Sequence, residues 1–279
     1  IRDAEESRWL GDVYKRQGME MGHRLKERMD NGFGFLKMDV GIGLLRGIEG
    51  ALIAPPGMLE THDIMHPFTG IQITSKGIDL LCQYVADVRE VIGYEVPLAV
   101  DHFGHIGVES CIRLGKALDQ FSLAWYEDMI PWQFADEWQR LAQAVDTPVC
   151  TGEDIYLKED FLPLFERRAI AVAHPDLASS GGILETKKIG DLAQEHGIAM
   201  ALHMAMSPIA ALASVHCAAA TQNFMVLENH SVDQLEHAPC RGSRAAGQTT
   251  VHDTSGFQRI CLHGWNIFKM RNFARVCPI

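Results

Sequence analysis

The chain has 279 residues, of which 47% are hydrophobic, and carries a net charge of −11. A chain of this size and apolar content can bury a large core, which excludes a disordered polymer and fits a single β/α barrel of about 250 residues. The acidity argues against a nucleic-acid partner, whose phosphates call for clustered Lys and Arg. No apolar run approaches the ~20 residues of a membrane span and no charged-then-apolar secretion signal is present, so a cytoplasmic protein with no membrane partner is expected. Seven cysteines without a CxxC pair read as free thiols in a reducing compartment.

In chain order, residues 1–17, with "IRD" and "GDVYKRQ", resemble translated adapter sequence and are read as a non-native leader. Residues 46–76 hold two adjacent prolines, four glycines and two histidines and read as an excursion, either a lid over a substrate or a plain surface loop. From residue 97 a unit repeats, an apolar strand-like run ending in a polar residue and then an amphipathic helix. "PLAVD" precedes "VESCIRLGKALDQF", "LAWYE" precedes "FADEWQRLAQAV" and "PVCTGE" precedes "EDFLPLFERR". "IAVAHPD" precedes "ILETKKIGDLAQEHG", "IAMALH" precedes "PIAALASVHCAAAT", and "FMVLE" follows. After Asp233 the pattern stops. Residues 234–279 carry six Lys or Arg against Glu236 and Asp253 and read as an irregular tail or the product of a shifted frame, which leaves 18–233 as the expected barrel.

The strand-end polar residues are Asp101, Glu127, Glu153, Asp176, His203 and Glu228, at separations of 26, 26, 23, 27 and 25. One strand, one helix and two short loops fill such a unit, and repeated units of this kind predict a parallel sheet closed as a TIM-like barrel. A doubly wound open sheet is the alternative fold, but no GxGxxG follows a strand. Strand C-termini converge at one barrel mouth, so these side chains become neighbours. A single acid at a strand end is ordinarily a helix cap; three in succession repel unless a cation neutralises them, and carboxylate oxygens suit Mg²⁺. Asp101, Glu127 and Glu153 are therefore the candidate metal ligands. In "WYEDMIPW", Trp125 and Glu127 share a strand face, whereas Asp128 has the opposite parity and is read as a turn or capping residue.

The series Lys37-x-Asp39, Asp101, Glu127, Glu153, Asp176, His203, Glu228 resembles the mandelate racemase subgroup of the enolase superfamily over residues 20–232. The resemblance implies a (β/α)7β barrel, here incomplete and without the family's N-terminal capping domain, and a homo-oligomer. It assigns Mg²⁺ to Asp101, Glu127 and Glu153, a general-base pair to Asp176 and His203, and a hydrogen bond to the substrate carboxylate or its enolate to Glu228. Lys37 matches the first Lys of a KxK motif. Asp39 stands where racemases of the subgroup carry the second Lys, so it is expected to pair with Lys37 or face substrate, and two-base racemisation is disfavoured. The resemblance then points to dehydration of a sugar acid, a small carboxylate, to a 2-keto-3-deoxy acid. His105 is a candidate acid for the leaving group and His102 a candidate substrate contact, against surface positions for both. The alternatives are an epimerase or cycloisomerase of the same superfamily, and an inactive fragment or a metal-binding protein using some of the thirteen histidines.

Overall fold

The computed structural model describes residues 17–57, 70–101, 106–205 and 207–229. A helix, α1, covers residues 17–30, and β1 (Leu36–Asp39) follows it. The excursion then contributes a small antiparallel ladder, β2 (Leu52–Ile53) on β3 (Gln72–Ile73), and α2 (Ser75–Ile92). Thr74 starts α2 by accepting from the Gly77 amide, and Gly93, at φ +68, stops it.

The repeat then runs β4 (Leu98–Asp101), α3 (Val108–Leu118), β5 (Tyr126–Glu127), α4 (Ala135–Ala144), β6 (Val149–Thr151) and α5 (Leu157–Glu166). It continues with β7 (Val172–Ala173), α6 (Gly182–Glu195), β8 (Ala199–Leu202), α7 (Pro208–Ala220) and β9 (Phe224–Leu227). Each strand and helix of the expected repeat is present. The seven strands form one parallel sheet in the order β1-β4-β5-β6-β7-β8-β9, with consecutive helices from α2 to α7 packed on one another. This is the curled β/α sheet of an incomplete TIM-type barrel. Among the described residues no helix is long and apolar enough to cross a membrane.

Strand parity divides the core in two. Leu98, Val100, Tyr126, Val149 and Ala173 join the cluster that packs the sheet against the helices, with Leu81, Val85, Leu114, Leu141 and Phe161. The residues alternating with them, Ala99, Trp125, Cys150 and Val172, form a separate cluster with Ala201 and Val226. That second cluster is the inner face of the curl, small except for Trp125, which stacks on Phe35 at 4.6 Å between ring centroids.

Candidate active site

Two residues beyond most inner-face apolar residues, the side chain becomes polar. Phe35 leads to Lys37, Ala99 to Asp101, Trp125 to Glu127, Val172 to His174 and Asp176, Ala201 to His203, and Val226 to Glu228. A period of two on parallel strands therefore stacks a charged layer on the apolar one.

Lys37 sits among carboxylates. Its Nζ lies 2.7 Å from Glu127 Oε1 and 3.1 Å from both Asp101 Oδ2 and Glu228 Oε1. Burial alone would lower its pKa, but Glu127, Asp101 and Glu228 outweigh burial and hold the ammonium well above its ordinary range. Glu127 is fully buried and receives the Trp125 indole N–H at 2.8 Å. Burial would raise its carboxyl, but His174 and Lys37 bring it below the usual carboxylate value. Across the mouth, His203 Nδ1 lies 2.7 Å from Asp176 Oδ2 while Nε2 faces Glu153 Oε2 at 3.1 Å and Glu228 Oε2 at 3.6 Å. Burial lowers the His203 pKa, and the Asp176 hydrogen bond with the Glu228 and Glu153 charges more than offsets it, a net rise. Burial likewise opposes the ionisation of Asp176, yet His203 and the Ala178 amide, donating at 2.7 Å, leave its carboxyl below the ordinary value.

Two acids do not follow strand parity. On β6 the inner-face position after Cys150 is Gly152, with φ +153, where a Cβ would stand 2.8 Å from the His174 backbone. The bend lets the next residue, Glu153, reach the site. Asp128, expected as a turn or capping residue, does lie in the bend after β5, and it also faces the acids. Strand β5 ends at Glu127, Asp128 takes a left-handed φ of +44, and its carboxylate joins those of Asp101 and Glu127 with ligand oxygens all within 4.8 Å. Thr151 Oγ1 donates to Asp128 Oδ1 at 2.5 Å. Burial and the charges of Glu127, Asp101 and Glu153 push the Asp128 carboxyl well above its ordinary value. Glu153 is also raised, by burial first and then by Asp101 and Glu127, against His203 and Lys37.

Most of the expected residues meet; the ligand oxygens that lie together are those of Asp101, Glu127 and Asp128, while Glu153 faces His203. Among the described residues Lys37 forms no ion pair with Asp39. Its partners are the three acids above, and Asp39 is exposed at the end of β1. His102, His105 and residues 58–69 of the excursion lie outside the described residues, as do 1–16 and 230–279. His174 was missed, although its parity with Val172 and Asp176 in "VAHPD" was the available signal. The donor set fits a hard divalent cation. It is all oxygen, and the upward shifts of Asp128 and Glu153 mark an excess of negative charge that Lys37 offsets in part.

Residues 20–257 match the family described as enolase C-terminal domain-like. The chain is 37% identical over 155 residues to a D-xylonate dehydratase of Haloferax volcanii, covering 55% of this chain and 37% of that protein. It is 30% identical over 147 residues to a D-galactonate dehydratase of Ralstonia pickettii, covering 53% and 38%. The matched parts span less than half the length of these relatives. A mandelate racemase/muconate lactonizing enzyme-like protein from Rubrobacter xylanophilus is similar in structure, with a TM-score of 0.67 and 32% identity over 78% of this chain and 51% of that one.

Proposed function

The chain belongs to the enolase C-terminal domain-like family, and from that premise we propose that it removes the proton α to a carboxylate and dehydrates a sugar acid to a 2-keto-3-deoxy acid. The observation that carries the reading is the Asp176–His203 pair at 2.7 Å set across from Lys37 and a group of close carboxylates. The names of the matched relatives, D-xylonate and D-galactonate dehydratase, support the substrate class.

A proton α to a carboxylate is weakly acidic, so its removal needs a base beside a site that accepts developing negative charge. Asp176 accepts from His203 Nδ1–H, which leaves the Nε2 lone pair to take the proton, and the same carboxylate stabilises the imidazolium that forms. Asp101, Glu127 and Glu153, with Asp128 alongside, would hold Mg²⁺, which when bound stabilises the enediolate as a Lewis acid. Lys37 adds a second fixed positive charge at the same place. Glu228, one of whose oxygens lies 3.6 Å from His203 Nε2, is aimed at the substrate carboxylate or its enolate. The carbon–hydrogen electron pair then expels the β-hydroxyl, which leaves as water with one added proton, and the enol takes a proton at carbon and gives up its O–H proton to become the ketone. His105 is the proposed source of the leaving-group proton, and His102 and Asp39 are proposed substrate contacts. With an Asp at the second position of the KxK pattern, two-base racemisation is not favoured.

A screen of five- and six-carbon sugar acids with Mg²⁺ and semicarbazide detection tests the reading. Keto acid from the wild type, and none above background from His203→Asn, is the expected result. Exchange of the α-proton with deuterated solvent but no keto acid would reassign the chain to an epimerase or cycloisomerase. Neither exchange nor keto acid, with Mg²⁺ bound, would reject the reading.

A further inference from the structure

We propose that His174 is a positioning residue that ties the Glu127 carboxylate to the Glu228 carboxylate, fixing the spacing between the metal-holding and substrate-facing parts of the site; this rests on the reading above. His174 is 1% exposed, and its Nε2 lies 3.4 Å from Glu127 Oε1 and 3.4 Å from Glu228 Oε2. The Glu228 contact has hydrogen-bond geometry, and because an ionised carboxylate only accepts, Nε2 carries the proton there, with the Glu127 oxygen facing the same edge of the ring at ion-pair distance.

Lys37 bridges the same two acids through Glu228 Oε1, and His174 takes Oε2. Each oxygen of Glu228 thus has its own donor, which fixes the plane of the carboxylate as well as its position. Glu127 likewise has a donor on each oxygen, Lys37 on Oε1 and the Trp125 indole on Oε2, with His174 Nε2 facing Oε1 at 3.4 Å. The His174 ring has little freedom to turn. It lies 5.9 Å from Trp125, tilted, and edge-on to His203 at 5.6 Å, with its backbone against Gly152. His174 Nδ1 is buried with no hydrogen-bond partner among the described residues. A buried nitrogen left without a partner is costly, and an apolar ring would fill a purely structural slot without that penalty. The Nε2 contacts are what the residue offers in return.

Two variants separate the donor from the ring. His174→Phe keeps an aromatic ring against Trp125 and His203 and removes the donor, and His174→Gln keeps an N–H near the Nε2 position. Calorimetry with Mg²⁺ alone, together with kcat and KM on a sugar acid, is expected to show His174→Phe weakened about 10–100-fold in Mg²⁺ affinity or kcat, the range for groups that orient metal ligands. KM is expected to stay within about threefold, and His174→Gln to recover at least tenfold of the loss. A folded His174→Phe with wild-type Mg²⁺ affinity and kcat would overturn the proposal, as would His174→Gln being as impaired as the Phe variant. Nitrogen-15 NMR of histidine-labelled wild type, run without metal or substrate, reads the same bond directly, and an unprotonated Nε2 on His174 would also overturn it. Absence of turnover with every sugar acid would count against the proposed function and leave this spectrum and the Mg²⁺ affinities to decide on His174.

Discussion

The two sides of the barrel mouth balance charge in different ways. On the β4–β6 side, Asp101, Glu127 and Asp128 crowd together beside the Lys37 ammonium of the neighbouring strand β1, and Glu153 faces His203. On the β7–β9 side, Asp176 has His203 at 2.7 Å, and Glu228 has His174 at 3.4 Å besides Lys37 at 3.1 Å. Glu153 and Asp128 are raised, by burial first and then by neighbouring acids, whereas Glu127, beside His174 and Lys37, and Asp176, paired with His203, are lowered. Under the proposed function the first side would take up the cation, and the second would hold and move the proton.

The widest separation between the two sides should come from His203→Asn, which removes the base and leaves the acids in place. Rates of α-proton exchange should fall roughly 10²–10⁴-fold, the usual contribution of general acid–base catalysis, with Mg²⁺ affinity by calorimetry little changed. A parallel loss of Mg²⁺ affinity would mean that the two sides are one electrostatic unit. Next in size, Glu153→Gln should weaken Mg²⁺ more than 100-fold as a lost ligand, whereas Asp128→Asn should weaken it about tenfold, at the low end for an outer partner. The reverse order by calorimetry would make Asp128 the third ligand and leave Glu153 to His203.

The smallest expected effect is on stability against pH in the metal-free protein. The folded pKa of His203 is raised above 6.5, so its stabilising contribution is complete below that value and is lost as pH rises through the folded pKa. Glu153 and Asp128, raised above 4.5 and 3.8, also favour the protonated form when folded, so their ionisation destabilises the fold as pH climbs from those values. Asp176 and Glu127, both lowered, act in the opposite sense and stabilise the fold until pH falls below about their ordinary values, 3.8 and 4.5. Melting temperature is therefore expected to decline from mildly acidic pH toward pH 8. Mg²⁺ at about 100 times its Kd should restore about 2.7 kcal/mol through binding to the folded state alone. A flat melting profile without metal, or no recovery with it, would break the contrast between the two sides.

The sequence pattern was most readable where regular strands end. Asp101, Glu127, His203 and Glu228 stand at the last strand residue or one beyond it, so type, order and spacing carry over directly into space. Legibility fades as the backbone leaves the strand. That Asp128 faces the acids could not be read from parity, which has no meaning once φ turns positive, and His174 lay hidden between apolar neighbours and a proline. Of the two readings shared parity allowed for Asp39, pairing with Lys37 or facing substrate, the first is not seen, because three acids from other strands are the ammonium's partners. The β2–β3 ladder, with two residues in each strand, is too short to leave a periodic signal.

Gly152 sits where the two sides meet. With no side chain possible between the end of β6 and the His174 backbone, the distance between cation-seeking acids and proton-carrying imidazoles is set by main chain against main chain. Substitutions elsewhere in the mouth can therefore exchange one acid or one ring for another without stretching the span between the two functions. A tolerance of that kind would let this mouth take on new substrates while keeping the same first chemical step, and Gly152 is the position least able to share in such variation.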